Sequence, residues 1–255
     1  GFLCLQLVNV IANYIFRQPL SGDGGEDRGL VSVLVPAREE EADIGNLLEA
    51  LSKMGGDNIE IIVCNDNSTD GTERVVLEYA AKDSRVRLIK SGDMPKGWLG
   101  KNFACYQLAG AARGKHLLFV DADVVLSGEV VSDAVAYAQR YGIGLLSVFP
   151  KQIKKTTGEK KSVPLMNFIL LTLLPLVFVR VSPFKSHSAA NGQFMLFDAD
   201  TYREFQPHER FKESAVEDIA IVRFLKGRKI NTACVTGEER IECRMYNSYQ
   251  DSLKG

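Results

Sequence analysis

The sequence predicts an α/β protein with a mainly parallel, Rossmann-like sheet and flanking helices. From residue 30 onward, short β-branched apolar runs alternate with amphipathic helical stretches, the pattern of βαβ units. Polar, acid-rich loops follow those runs, at the strand ends where ligands gather in such sheets. The 255 residues, 45% of them hydrophobic and 25% charged, can bury roughly 70–75% of the unfolded surface, which excludes intrinsic disorder. No period of 20–50 residues recurs, which disfavours solenoids and propellers. Lys and Arg number 31 against 32 Asp and Glu, a formal charge of −1. A dedicated nucleic-acid binder would show a basic excess, so no nucleic-acid partner is expected and any polyanion site must be local.

The elements follow in order. Phe2 to Phe16 is apolar apart from Gln6, Asn9 and Asn13, too short to cross a ~30 Å hydrocarbon core alone. Residues 1–18 read as the end of a membrane helix, with Arg17 as its cytoplasmic flank; the alternative is an ordinary first helix packed on the domain. Leu30 to Val35 is the first strand, ended by Pro36. Ile44, Leu47, Leu48, Leu51 and Met54 recur at helical spacing, and Gly55 and Gly56 close that helix. Ile59 to Cys64 is the second strand. Thr72 to Ala81, Val86 to Ile89, Asn102 to Ala112 and Leu117 to Val120 continue as helix, strand, helix and strand. A helix over Ser127 to Tyr141 and a strand over Gly144 to Phe149 complete a nucleotide-binding half, residues 30–150.

Composition shifts at Lys151. Lys151, Lys154, Lys155, Lys160 and Lys161 against Glu159 give a local +4, and an apolar run from Val163 to Val181 follows, interrupted by Pro164 and Pro175. Two prolines argue against one straight spanning helix. Residues 151–185 therefore suit a segment lying in an anionic membrane interface, the alternative being buried helices beside a solvated lysine loop. Cys4, Cys64, Cys105, Cys234 and Cys243 are an odd, widely spaced set. They read as reduced and apolar, with no zinc site.

The first strand runs into Pro36-Ala37-Arg38-Glu39-Glu40-Glu41 with no glycine after it. A dinucleotide-binding turn and a P-loop both need glycines so that backbone can approach phosphates, so both are disfavoured. A nucleotidyltransferase loses support on the same ground. Arg38 and Glu40 remain able to read a base or ribose, although such a run also suits a solvated helix start. The second strand runs into Asn65-Asp66-Asn67-Ser68-Thr69-Asp70-Gly71-Thr72. Asp66, at the strand's carboxyl end, is placed to accept from a nucleobase N–H. Thr69 or Asp70 caps the following helix, which accounts for the later residues. The fourth strand delivers Asp121-Ala122-Asp123, two carboxylates on one side of an extended segment. Such hard oxygen ligands suit Mg²⁺ or Mn²⁺ on a diphosphate. The tripeptide recurs at Asp198-Ala199-Asp200, where a helix N-terminus is explanation enough.

These motifs stand in a definite order: PAREEE, CNDNSTDGT, GWLGKNFA at Gly97 to Ala104, FVDADV, AANGQF at Ala189 to Phe194, and VEDIAI at Val216 to Ile221. In that order they resemble the family-2 inverting glycosyltransferases of GT-A fold, over roughly residues 30–250. GWLGKN and Arg244-Met245-Tyr246 are similar to the membrane-associated subgroup acting on carotenoid or hopanoid-type lipids. The QxxRW motif of processive synthases is missing, which counts against processivity.

The resemblance implies that Pro36, Ala37, Arg38, Glu40 and Asp66 contact the nucleoside. Asp121, with Ala122, would serve the ribose or metal region and Asp123 a Mn²⁺ or Mg²⁺ ion. Lys101 and Arg244 would lie near the diphosphate. Residues 186–250 would form the acceptor and catalytic half, with Asn191, Gly192 and Gln193 at the acceptor mouth and Gly192 allowing close approach. In the acid pair Glu217-Asp218, Asp218 would deprotonate the acceptor hydroxyl. The implied partners are a nucleotide-sugar, an apolar lipid acceptor and a membrane surface, with the catalytic domain on the cytoplasmic side. The rival from another class is a catalytically silent nucleotide-binding scaffold. His187 and Trp98 read as packing residues.

Overall fold

The computed structural model describes residues 2–16, 20, 29–55, 58–152 and 176–243. Its elements in chain order are α1 (Phe2–Ile15), β1 (Val31–Ala37), α2 (Ile44–Lys53), β2 (Ile59–Asn65), α3 (Thr72–Ala80), β3 (Val86–Lys90) and α4 (Gly100–Ala111). Next come β4 (His116–Val120), β5 (Val124–Leu126), α5 (Val130–Arg140), β6 (Leu145–Phe149), β7 (Lys151–Gln152) and α6 (Val177–Val181). The rest are β8 (Phe194–Asp198), α7 (Ala199–Phe205), α8 (Pro207–Arg210), α9 (Glu217–Gly227), β9 (Thr232–Thr236) and β10 (Ile241–Cys243).

Among the described residues seven strands form one sheet in the order β3-β2-β1-β4-β8-β6-β9, and a second sheet has the order β5-β10-β7. Among the described strands of the large sheet β8 alone runs antiparallel, paired with β4 on one side and β6 on the other. The expected mainly parallel sheet is therefore present, and it crosses from the expected nucleotide-binding half into the later half of the chain. Side-chain alternation splits β1 between two apolar layers. Val31, Val33, Val35 and Ala37 join Ile44, Leu47, Leu48 and Leu51 of α2. Leu34 joins Ala104, Cys105 and Leu108 of α4 and Ile221, Val222 and Leu225 of α9. Burial on both faces is what a parallel sheet under helices requires.

Several expectations change at element ends. Pro36 does not end β1, which continues to Ala37. Ala37 C=O accepts from Asp66 N–H at 2.8 Å, so residue 37 faces β2. Residue 36 then faces the other side, where pairing with β4 has already stopped at Leu34–Phe119, and its missing N–H removes no ladder bond. The helix expected from Ser127 begins at Val130. Leu126 belongs to β5, and Gly128 turns the chain at φ 62°.

Of the expected interface segment, residues 153–175 lie outside the described residues, including Lys154, Lys155, Lys160 and Lys161. Lys151 is held at 3.2 Å from Glu239 and 3.4 Å from Glu242, so its charge is shared with acids rather than free. The remnant α6 buries Val179 and exposes Phe178 and Val181. Lys226 of α9 secures it, donating to Phe178, Ser182 and His187 carbonyls at 3.3, 2.9 and 2.7 Å. Leu176 N–H donates to Asn13 Oδ1 at 2.6 Å, joining this region to α1. Among the described residues no helix is long and apolar enough to cross a membrane.

Candidate active site

β1, β2 and β4 run in parallel, so Arg38, Asp66 and Asp121 emerge at the same sheet edge. The loops after β1 and β2 are zipped together across that edge. Glu39 N–H donates to Ser68 Oγ at 3.1 Å, and Thr69 N–H returns to Glu39 Oε1 at 2.6 Å. Glu40 N–H reaches Thr72 Oγ1 at 2.8 Å, Glu41 N–H reaches Asp70 Oδ2 at 3.0 Å, and Gly71 N–H reaches Glu41 Oε2 at 2.9 Å. Glu39 and Asn67 hold φ of 58° and 54° to make the fit, strained positions supported by the bonds around them. The acidic run is exposed at Glu39 and Glu41, precedes α2 instead of opening it, and ties the two loops together. It fixes Arg38 and Asp66, which face each other at 3.7 Å.

Pro36, Ala37, Arg38, Glu40, Asp66, Lys101, Asp121, Ala122 and Asp123 line one cavity of about 300 Å³, together with Gly100 and Ala104. Gly100 has a steric reason to be glycine: an added Cβ would sit 2.7 Å from Asp66 Oδ2. Lys101, in the first turn of α4, places Nζ at 2.6 and 2.8 Å from the two oxygens of Asp121. Burial opposes its charge, but Asp121, Cys105 and Glu217 outweigh it and raise its pKa. Asp121 is therefore already engaged by a cation. Asp123 is not: its Oδ2 accepts from Cys243 Sγ–H at 3.2 Å, and its buried Oδ1 has no hydrogen-bond partner among the described residues. Burial, then Asp121, raises the Asp123 carboxyl above its ordinary value. Burial, then Asp123, Asp43, Asp121 and Asp70, pushes Glu40 up to about 7. An orphaned hard oxygen among mutually repelling carboxylates fits a divalent cation, and the fit is to Asp123 ahead of Asp121. Among the described residues no group of three or more acidic, His or Cys side chains is arranged as a full metal cage.

The acid pair opens α9 on the other side of Lys101. Asp218 accepts from Ile219 N–H at 2.7 Å and from Gly192 N–H, and burial raises the carboxyls of both Asp218 and Glu217. Gly192 contributes through its backbone. An added Cβ there would stand 3.6 Å from Glu217 Oε1 and 3.8 Å from Lys101 Nζ, ordinary contact distances, so no protein neighbour requires glycine at this position. Asn191 is anchored to Ser147, donating its N–H at 2.7 Å and accepting at 3.0 Å. Gln193 Nε2 donates to Cys243 Sγ at 2.7 Å. The structure thus brings Asn191 to Gln193, Lys101 and the acid pair together beside the cavity. Arg244 lies outside the described residues.

Sequence reasoning missed the parts played here by Glu39, Glu41, Asp70, Gly100 and Cys243. The zipper and the thiol bond join residues far apart in the chain, and only the glycine of GWLGKN hinted at a close approach. Trp98 packs at 5.3 Å from Phe103 and 5.2 Å from Tyr106, and His187 stacks on Phe178 at 5.3 Å; both are packing residues, as expected.

The sheet order, the antiparallel β8 and the acidic cavity at the carboxyl edge are those of the GT-A fold. The chain belongs to glycosyl transferase family 2, whose model matches residues 32–205. Two relatives are named 4,4'-diaponeurosporenoate glycosyltransferase. The one from Staphylococcus haemolyticus is 29% identical over 250 residues, covering 96% of this chain and 65% of that protein. One from Staphylococcus aureus is 30% identical over 227 residues, covering 88% and 58%. The chain thus spans 65% and 58% of the length of these relatives. Solved structures that share the fold include the following two. The mannosyltransferase PcManGT from Pyrobaculum calidifontis, in complex with GDP-Man and Mn²⁺, has a TM-score of 0.70 at 16% identity, over 96% of this chain and 66% of that one. Glucosyl-3-phosphoglycerate synthase from Mycobacterium tuberculosis, in complex with Mn²⁺, UDP and glucosyl-3-phosphoglycerate, has a TM-score of 0.57 at 19% identity, over 89% and 75%.

Proposed function

We propose that the chain moves one sugar from a nucleotide-sugar, a UDP-sugar, with inversion, to an apolar isoprenoid acceptor such as a carotenoid. The observation that carries this reading is Lys101, which grips Asp121 of the cavity and whose charge also acts on both acids of the Glu217-Asp218 pair. Donor diphosphate and acceptor nucleophile would meet across that one ammonium. Arg38, Glu40 and Asp66, with Pro36 and Ala37, hold the nucleoside. Asp123, assisted by Asp121, would hold Mn²⁺ or Mg²⁺, which when bound neutralises charge on a leaving diphosphate. Lys101 adds a fixed positive charge beside it, and Arg244 is proposed for the same role. Asp218 takes the acceptor hydroxyl proton as the new C–O bond forms and the bond to the diphosphate breaks. Burial has raised its pKa toward the range that general-base work prefers.

An apolar acceptor is supported at the mouth. Val216 is 65% exposed and Ile219 37% exposed, one on each side of the acid pair. Attachment to a membrane surface is supported by α1, where Leu7, Val8, Ile11, Tyr14, Ile15 and Phe16 are exposed. The names of the relatives support a carotenoid acceptor. Their acceptor name is that of a carboxylate, which needs no base. Asp218→Asn is therefore expected to slow single-turnover transfer from UDP-glucose to an isoprenoid alcohol by about 10²–10⁴-fold, and to the matching isoprenoid acid much less. Nucleotide affinity persists in this variant, and NMR of the product shows inversion. Full activity of Asp218→Asn on the alcohol would sink the base assignment, and a retained anomeric configuration would sink the single displacement.

A further inference from the structure

Asn102 is 1% exposed and sits one residue beyond Lys101, in the first turn of α4. Its Nδ2 donates to the carbonyls of Phe211, Lys212 and Ser214 at 3.1, 3.1 and 3.0 Å. Those carbonyls belong to the loop between α8 and α9, which delivers Glu217 and Asp218. The seam extends on either side of the amide: Leu99 N–H donates to Lys212 C=O at 2.9 Å, the Lys212 ammonium lies 5.8 Å from the Trp98 ring, and Val216 N–H donates to Ser214 Oγ at 3.3 Å. One turn of one helix therefore carries both the cation that grips Asp121 and the amide that gathers the backbone leading to Asp218.

We infer that Asn102 is a positioning residue that sets where Asp218 stands relative to the donor cavity. This rests on the base assignment proposed above. An amide suits the task because it supplies two donors and three carbonyls converge on it, sharing them in part. A side chain without donors takes from the Ser214 carbonyl its donor at the seam. It leaves the Phe211 and Lys212 carbonyls held, among the described residues, only by Ser214 N–H and Leu99 N–H, so the loop is free to shift. A displacement of about 1 Å at a reacting group is enough to lower a rate roughly 100-fold. No residue of this loop lines the donor cavity, whose lining comes from the ends of β1, β2 and β4 and from Gly100, Lys101 and Ala104 of α4.

The test is a double-mutant cycle of Asn102→Ala and Asp218→Asn. It is read by single-turnover transfer from UDP-glucose with Mn²⁺ to farnesol in micelles, by UDP affinity with Mn²⁺, and by melting temperature. Asn102→Ala is expected to lower transfer by about 10–100-fold while UDP affinity stays within about twofold. In the Asp218→Asn background the same change is expected to add less than about twofold, because both act on one group. Asn102→Ser, which keeps one donor, regains part of the rate and serves where Asn102→Ala fails to fold. Asn102→Ala at the wild-type rate beside an impaired Asp218→Asn would overturn the inference and leave the base assignment standing. So would UDP affinity falling in step with rate, or additive losses in the cycle. Full activity of Asp218→Asn alone identifies failure of the base assignment itself.

Discussion

Asp121-Ala122-Asp123 and Asp198-Ala199-Asp200 are one tripeptide used twice, at opposite edges of the same sheet. β4 pairs antiparallel with β8, His116 opposite Asp198 and Val120 opposite Phe194. The first copy follows β4 at its carboxyl edge. The second follows β8, whose reversed direction delivers it to the other edge, roughly 17 Å away along the strands at about 3.3 Å per residue. At the first edge the loops after β1 and β2 converge, Asp121 meets Lys101, and Asp123 keeps a buried oxygen without a partner among the described residues. At the second edge Asp198 caps α7, accepting Thr201 N–H at 2.8 Å, and Asp200, its side chain 98% exposed, lies 3.7 Å from Arg203. Strand direction, not the tripeptide, decides which copy faces the cavity.

The largest expected effect separates the two copies directly. Asp123→Asn should weaken Mn²⁺-dependent UDP binding by about 100-fold or more, roughly 2.7 kcal/mol, since a hard cation site with few protein ligands loses an anionic one. Asp200→Asn should leave it unchanged. Calorimetric titration of UDP in the presence of Mn²⁺ reads both, and equal losses at the two positions would erase the distinction.

The sequence displays the first copy's surroundings better than their assembly. Alternating apolar runs and helical stretches are local patterns, so β1, α2, β2, α3, β3, α4 and β4 are legible to within a few residues, and the motif loops at the carboxyl edge follow from them. The direction of β8 is not legible. Phe194 to Phe197 is a short apolar run that reads the same in either orientation, and partners on both sides fix its sense. The small sheet is equally hidden, since β5, β7 and β10 are two or three residues long. Site residues follow the same rule. Arg38, Asp66, Asp121 and Asp123 announce themselves at strand ends, whereas Asn102 acquires its role from carbonyls 109 to 112 residues away.

A smaller effect tests the electrostatics peculiar to the first copy. Glu40 titrates near 7 in the folded chain against 4.5 as its ordinary value, so the folded state holds this proton more tightly than the unfolded state. Its contribution is fully present below about pH 4.5 and is lost as pH rises through about 7. Glu40→Gln removes the charge that burial and Asp123 oppose. The variant should therefore be more stable than wild type above pH 7, by about 1 kcal/mol once the roughly 3 kcal/mol of the full shift is discounted for partial exposure. The two should converge below pH 4.5. Denaturant midpoints from pH 4 to 8 give the comparison; a gap that widens toward low pH would reverse the assigned sign.

The smallest effect is the most discriminating, because the same change is harmless at one copy and damaging at the other. The cap at Asp198 needs an oxygen that accepts Thr201 N–H, and Asn offers such an oxygen as well as Asp does. Asp198→Asn should therefore preserve stability to within a few tenths of a kcal/mol, giving up only part of a favourable charge at the start of α7. Asp198→Ala removes the acceptor and should lose about 1 kcal/mol, leaving UDP binding untouched because the cavity lies at the opposite edge. At Asp123 the ranking differs: Asn retains an oxygen but not the anionic charge, and a cation site responds to the charge. Asp→Asn and Asp→Ala should thus be nearly equal in their damage at Asp123 and clearly unequal at Asp198. Thermal melts and UDP titrations on the four variants measure both rankings. If Asn rescues binding at Asp123 as well as it preserves the cap at Asp198, the first copy is acting as a hydrogen-bond acceptor and not as a cation ligand.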